Sequence, residues 1–150
     1  MSPCFIINVR NERVVLIVQV LKDELRHKIL LESEHLFLQR GYDRTSLQMI
    51  ADKVNISKSN LYHYFKNKEE LFYELTDSAA DGLKRMILRF RSMRFDLNMD
   101  AQEFRMLLTE EVLSLLLAEK YGLLLIMEQA NGTRYENLRP VMIELIASKI

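Results

Sequence analysis

Apolar residues between positions 22 and 75 recur at helical spacing rather than in alternation. Ile29, Leu30, Leu36 and Phe37 share one helical face in KDELRHKILLESEHLFLQRGYDRTS, and Gly41 stands where a helix C-cap belongs. Ile50, Val54, Ile56 and Leu61 then punctuate TSLQMIADKVNISKSNLYHYF, at positions through which two crossed short helices share one small core. Ala51 falls where those helices come closest. Asn55 falls at the turn between them, where the backbone needs a positive φ that Asn tolerates far better than a β-branched residue. Capping boxes mark two helix starts, Thr45 with Gln48 and Asn67 with Glu70. The pattern therefore predicts a packing helix, a short helix, a three- to four-residue turn, a second short helix, and a long helix from about Lys68 to Arg94.

Downstream, the spacing predicts helices near 100–120, 122–131 and 139–149, with Asn131-Gly132 as a turn and Pro140 in a first helical turn. VLSLLLAEKYGLLLIM is apolar nearly all round, which predicts burial in a helical bundle. Residues 1–21 break the style. PCFIINVRNERVVLIVQV is rich in β-branched residues and reads as two short strand-like runs around Arg10 to Arg13. It is too short for a membrane span, and its charges and lack of a small-residue cleavage site exclude a secretory signal. Two readings remain for it: a weakly ordered arm, or upstream translation with initiation near Val20 or Leu21.

Only four glycines and two prolines interrupt the 150 residues, which favours long helices over a turn-rich β fold. The lone Cys4 excludes an internal disulfide framework and any Cys-rich metal site. Whole-chain charge cancels at 21 basic and 21 acidic residues, but local charge does not. From Arg40 to Lys68, six basic residues (Arg40, Arg44, Lys53, Lys58, Lys66, Lys68) face only Asp43 and Asp52, a net +4. A positive segment on a neutral chain suits nucleic acid. On that same segment Ser57, Lys58, Ser59, Asn60, Tyr62 and His63 crowd the start and outer face of the second short helix, and the core needs none of them. They are hydrogen-bonding groups suited to phosphate oxygens and to base edges in a major groove. The plain alternative is a solvated helix face with Ser57 serving only as N-cap.

Catalytic readings fail on geometry. Glu24-x-x-His27 and Glu32-x-x-His35 lie on one helix, whereas a di-metal bundle draws such pairs from different helices and adds further glutamates. No carboxylate is placed to orient His63 toward Ser59, and there is no glycine-rich phosphate loop. No enzyme activity, metal or cofactor is expected.

Gly41-Tyr42, Thr45, Ile50-Ala51, Val54, Ile56-Ser57, Leu61-Tyr62, Phe65, Lys68 and Leu71-Phe72 match, in order and spacing, the N-terminal domain of the TetR family of bacterial transcriptional repressors. The chain resembles that family over roughly residues 24 to 75. The resemblance implies an all-α fold, with a three-helix helix-turn-helix domain joined by a long fourth helix to a C-terminal regulatory and dimerisation region. On that plan residues 1–21 are an extension, 22–75 the DNA-binding domain and 76–150 the C-terminal region. The resemblance assigns base-edge and phosphate contacts to Ser57, Lys58, Ser59, Asn60, Tyr62 and His63, and backbone-phosphate contacts to Thr45 and Lys68. Lys68 also makes sense bottom-up, because a helix N-terminus already attracts anions. Tyr42 either reaches a phosphate or packs its ring in the core.

The implied function is that of a cytoplasmic homodimer that binds a pseudo-palindromic operator in double-stranded DNA as a repressor, with no membrane partner. The competing reading is a helical protein-interaction module that keeps its helix-turn-helix only for packing. Lys84, Arg85, Arg89, Arg91 and Arg94 are expected on a solvated face turned away from DNA. Residues 100–150 are short beside the family's usual effector and dimer region, so that region is either truncated or dimerises in another way. Self-association without tight binding of a small-molecule effector is the expectation there.

Overall fold

The computed structural model describes residues 9–93 and 100–147, which form six helices: α1 (Val9–Arg40), α2 (Leu47–Val54), α3 (Lys58–Leu61), α4 (Lys68–Met93), α5 (Ala101–Glu128) and α6 (Leu138–Ala147). No strand occurs among the described residues. The strand-like reading of residues 1–21 is corrected from Val9 onward, where the chain is already helical and continuous with α1; residues 1–8 lie outside the described residues. β-branched residues disfavour a helix by only fractions of a kcal/mol each, and a strand needs a neighbour to complete its hydrogen bonds. Extending an established helix gains one bond per residue with no nucleation cost. The side chains from Val14 to Leu21 stand exposed along this extension.

α1 stops at Gly41, whose φ of +87° lets its amide donate to the Phe37 carbonyl at 2.8 Å. At the next helix start the structure moves the capping role by one residue. Ser46, in extended backbone, accepts the Met49 amide at 3.3 Å, while Thr45 turns inward and its hydroxyl donates to the Gly41 carbonyl at 2.8 Å. Gln48 donates to Asp52 instead of reaching back. α2 ends on Asn55 at φ 62°, with the Asn55 amide on Asp52 O at 3.2 Å and the Ile56 amide on Ala51 O at 3.0 Å. These two bonds are the paired closure of a left-handed C-cap. Asn55→Gly is therefore expected to fold as well as the parent, and Asn55→Val to lose about 1–2 kcal/mol in urea denaturation because its Cβ is crowded at positive φ. Equal stability of the two variants would contradict the cap. At α4, Asn67 accepts the Glu70 amide at 2.7 Å and Glu70 reaches back to the Lys66 amide at 2.6 Å, a box displaced by one residue from the expected form.

The expected core forms. Ile29, Leu36 and Phe37 of α1 meet Ile50, Ala51 and Val54 of α2, Leu61 of α3, and Leu71 and Phe72 of α4; all are buried, with Ile56 partly so. Phe37, Tyr42 and Phe72 form an aromatic triple with centroids 5.0–5.8 Å apart. The same cluster continues without a break into Leu123, Leu125 and Ile126 of α5 and into Ala130 and Tyr135 of the following loop.

α5 runs beside α4, and Gly122 permits the approach: a Cβ there would stand 2.8 Å from that of Ala79. Two helices were expected across 100–131, and the structure has one, kinked where Glu119 leaves helical geometry at φ −127°. The Glu119 carboxylate accepts from Ser78 at 2.6 Å. Full burial of VLSLLLAEKYGLLLIM is not observed. Leu123, Leu125 and Ile126 are inside, but Leu113, Leu116, Leu117 and Tyr121 face outward, with Leu117 77% exposed. Gly132 (φ +77°) makes the expected turn, and Pro140 sits in the first turn of α6. On α4, Lys84, Arg85 and Arg89 are exposed. Lys84 pairs with Asp81 and Arg89 with Glu111. Arg94 and the side chain of Arg91 lie outside the described residues.

Candidate nucleic-acid interface

Ser57 starts α3 by accepting the Asn60 amide at 3.1 Å, so the N-cap role expected of it as the plain alternative is real. After one turn the helix tightens: the His63 amide bonds Asn60 O at 3.1 Å and the Tyr64 amide bonds Leu61 O at 2.9 Å. Buried Leu61 and Phe65 pin the inner side of this segment against α1 and α2. The outer side is then fixed by geometry. Ser57, Lys58, Ser59, Tyr62 and His63 are exposed and Asn60 is half-buried, so the structure brings together all six residues expected there. The Lys58 ammonium lies 6.0 Å from the Tyr62 ring centroid, four residues on along the same face.

Lys68 and Thr45 stand differently. Lys68 opens α4 half-buried, its Nζ donating to the Tyr42 carbonyl at 2.7 Å and lying 4.0 Å from the Tyr42 ring centroid. Burial holds its pKa below the usual lysine value, with Asp43 pulling the other way. One ammonium proton is committed to the fold, and two remain for an anion at the helix N-terminus. Thr45 is 2% exposed with its hydroxyl given to the Gly41 and Leu36 carbonyls, at 2.8 and 3.3 Å. The phosphate contact implied for Thr45 is thus unavailable to its hydroxyl, and the position works as a lock between α1 and the turn. Tyr42 packs its ring between Phe37 and Phe72, and burial pushes its phenol pKa up. Of the two roles open for it, packing is the one the geometry supports.

Sequence reasoning passed over Ser46 and Arg44, both exposed beside the start of α2. The Thr45-Ser46 doublet carries two capping residues in a row, and only the fold shows which one turns inward. Arg44 is steered by its Nε, which donates to the Arg40 carbonyl at 2.9 Å. His27 and His35 are exposed on α1, where His35 pairs with Gln39. Among the described residues no group of three or more His, Cys, Asp or Glu side chains is gathered as a metal site, and no helix is long and apolar enough to cross a membrane.

Residues 29–75 match the family model described as bacterial regulatory proteins, tetR family. Over this stretch the chain is similar to the tetR family. The matched residues run from buried Ile29 to Leu75 and contain the whole α2–α3 unit. The chain is 34% identical over 65 residues to the biofilm operon icaADBC HTH-type negative transcriptional regulator IcaR of Staphylococcus epidermidis, covering 43% of this chain and 35% of that protein. It is 34% identical over 62 residues to the HTH-type transcriptional activator FasR of Mycolicibacterium smegmatis, covering 41% and 28%. The matches thus span about a third of the length of these curated relatives. In fold, the chain is similar to the probable transcriptional regulatory protein RHA5900 (TM-score 0.56, 21% identity, 80% of this chain and 64% of that one). It is similar also to NalD, the secondary repressor of the MexAB-OprM multidrug efflux pump in Pseudomonas aeruginosa (TM-score 0.51, 24% identity, 83% and 61%).

Proposed function

We propose that this chain is a tetR-family protein: a cytoplasmic, sequence-specific DNA-binding regulator of transcription that acts as a repressor, a homodimer seated on a pseudo-palindromic operator. The observation that carries the reading is the outer face of α3. Six hydrogen-bonding side chains stand on the outer side of a core that includes Leu61 and Phe65, within a segment of net charge +4 on a neutral chain. In a major groove Lys58 suits a guanine edge or a phosphate, Asn60 an adenine edge, and the hydroxyls of Ser57, Ser59 and Tyr62 suit phosphate or base acceptors. His63 stands at the exposed end of the same face. IcaR is a negative regulator, which favours repression.

The exposed stripe Leu113, Leu116, Leu117 and Tyr121 on α5 supports self-association, since a contiguous apolar face of this kind invites a partner. Two copies would then present two α3 helices to half-sites about 34 Å apart on one DNA face. Residues 22–75 act in this reading as the DNA-binding part and 76–150 as the regulatory and dimerising part.

A mobility-shift assay with the DNA upstream of the protein's own gene tests the proposal, together with a reporter driven by that DNA. Expected are a shift at sub-micromolar protein and a fall in reporter output when the protein is expressed. No shift and an unchanged reporter would overturn it. Lys68 separates positioning from reading. Lys68→Ala is expected to weaken all duplexes alike and to reduce the slope of log K against log salt by roughly one, as one phosphate contact is lost. An unchanged slope contradicts the phosphate role and leaves Lys68 as an anchor for Tyr42 alone.

A further inference from the structure

The loop between α5 and α6 grips the DNA-reading unit at a site remote in sequence from α3. The Gln129 carbonyl accepts the Tyr42 amide at 3.4 Å, and its side chain closes over Gly41, where a Cβ would come within 2.9 Å of Oε1. Asp43 lies against the Gly132 backbone, its Oδ1 2.9 Å from where a Cβ would stand. Three residues of the loop turn inward, with Ala130, Thr133 and Tyr135 all buried.

The far end of the loop is knotted to α4. The Arg134 guanidinium sits 3.8 Å from the Tyr73 ring centroid and 4.8 Å from that of Tyr135, and pairs with Asp77. The Arg134 amide donates to the Tyr73 hydroxyl at 3.3 Å, and the Tyr135 hydroxyl donates to Asp77 at 2.6 Å. Burial and the Asp77 hydrogen bond push the Tyr135 phenol up to about 12, so this donor keeps its proton at any physiological pH. An exposed Arg–Asp pair by itself contributes little. Here it also stacks a planar cation on two rings, which fixes the loop's position rather than decorating the surface.

The segment so gripped matters. Residues 41–45 connect α1 to α2, and within them the Tyr42 carbonyl anchors Lys68 while Thr45 locks onto α1. We propose that the α5–α6 loop is a brace that fixes the Gly41–Thr45 turn, and through it the aim of α2 and α3, with Arg134 as its positioning residue. The DNA affinity of the N-terminal unit thereby depends on a side chain that lies outside it and never approaches DNA. This rests on the DNA-binding reading for its functional half only; the mechanical half stands on contacts within the chain.

The test uses the full chain and two readouts. In Arg134→Ala, without DNA, the amides of Tyr42 and Thr45 are expected to exchange about tenfold faster while those of Ile50 and Leu61 keep their protection. Affinity for a duplex selected on the parent protein is expected to fall by a similar factor with the salt slope unchanged, because no phosphate contact is lost. Arg134→Lys keeps the charge but not the planar stacking and should recover only part of both effects. Tyr73→Phe removes the hydroxyl that receives the Arg134 amide and donates to Glu69 at 2.6 Å, and a smaller rise in exchange confined to the same turn is expected. Unchanged exchange at Tyr42 in folded Arg134→Ala overturns the brace, and so does a uniform rise across every amide, which would mean general loss of stability. Faster exchange at the turn in a protein that selects no duplex would support the brace and count against the DNA-binding reading instead.

Discussion

Phe37→Ala is expected to lower folding stability by about 3–5 kcal/mol, the largest effect expected of a single truncation in this core. Phe37 is fully buried and meets the rings of Tyr42 and Phe72 at 5.8 and 5.4 Å. It joins the end of α1 to the start of α4, so truncation removes apolar area and opens a cavity that two rigid helices cannot close. Ring-edge contacts are lost as well. Urea denaturation followed by far-UV circular dichroism would measure the change, with Leu117→Ala, at 77% exposure, as the surface control expected to shift by under about 0.5 kcal/mol. A Phe37→Ala cost below about 1 kcal/mol would show that the aromatic triple is not what joins α1 to α4.

The second large effect is on binding. Lys58→Ala and Tyr62→Ala are each expected to weaken specific DNA binding by about 1–3 kcal/mol, roughly five- to 150-fold, while the melting profile stays that of the parent. Both side chains leave α3 into solvent, and neither supports the core. The two differ in character. Loss of Lys58 removes a charge, so its deficit should shrink at higher salt, whereas the deficit from losing the Tyr62 hydroxyl and ring should persist. Anisotropy titrations at two salt concentrations distinguish them. A folded variant of either residue with parental affinity would show that the reading face lies elsewhere.

Much of this arrangement was legible in the sequence, and the reason is local. Gly41, Asn55, Asn67 and the Ile50–Leu61 spacing each state a backbone requirement within a few residues, and the fold meets them: a positive φ at Gly41 and Asn55, a cap at Asn67, and a shared core beneath α2 and α3. The outer face of α3 was legible for the same reason, since residues not needed inside a one-turn helix must point out. What failed depended on distant partners. Thr45 and Ser46 are interchangeable as caps until the Leu36 and Gly41 carbonyls decide which hydroxyl turns inward. The β-branched run from Val14 to Val20 looked like strand because propensity was its only signal, and attachment to α1 outweighed it. The apolar helix from Val112 to Met127 looked wholly buried because composition does not say how many neighbours a helix has; one side meets α4 and the other faces out. The knot of Tyr73, Asp77, Arg134 and Tyr135 joins residues nearly sixty positions apart and had no sequence signature at all.

The central claim is that the face of α3 reads a DNA sequence, and one titration tests it most directly. The full chain is used to select duplexes from a random library, and its affinity for an enriched duplex is compared with that for a scrambled version at one physiological salt concentration. A sequence-reading α3 in a two-fold dimer predicts enrichment of a two-fold-related motif and a preference of about a thousandfold or more over the scrambled duplex. Equal affinity for both, or no enriched motif from a folded protein, would contradict it and leave the helix-turn-helix of this chain a packing unit.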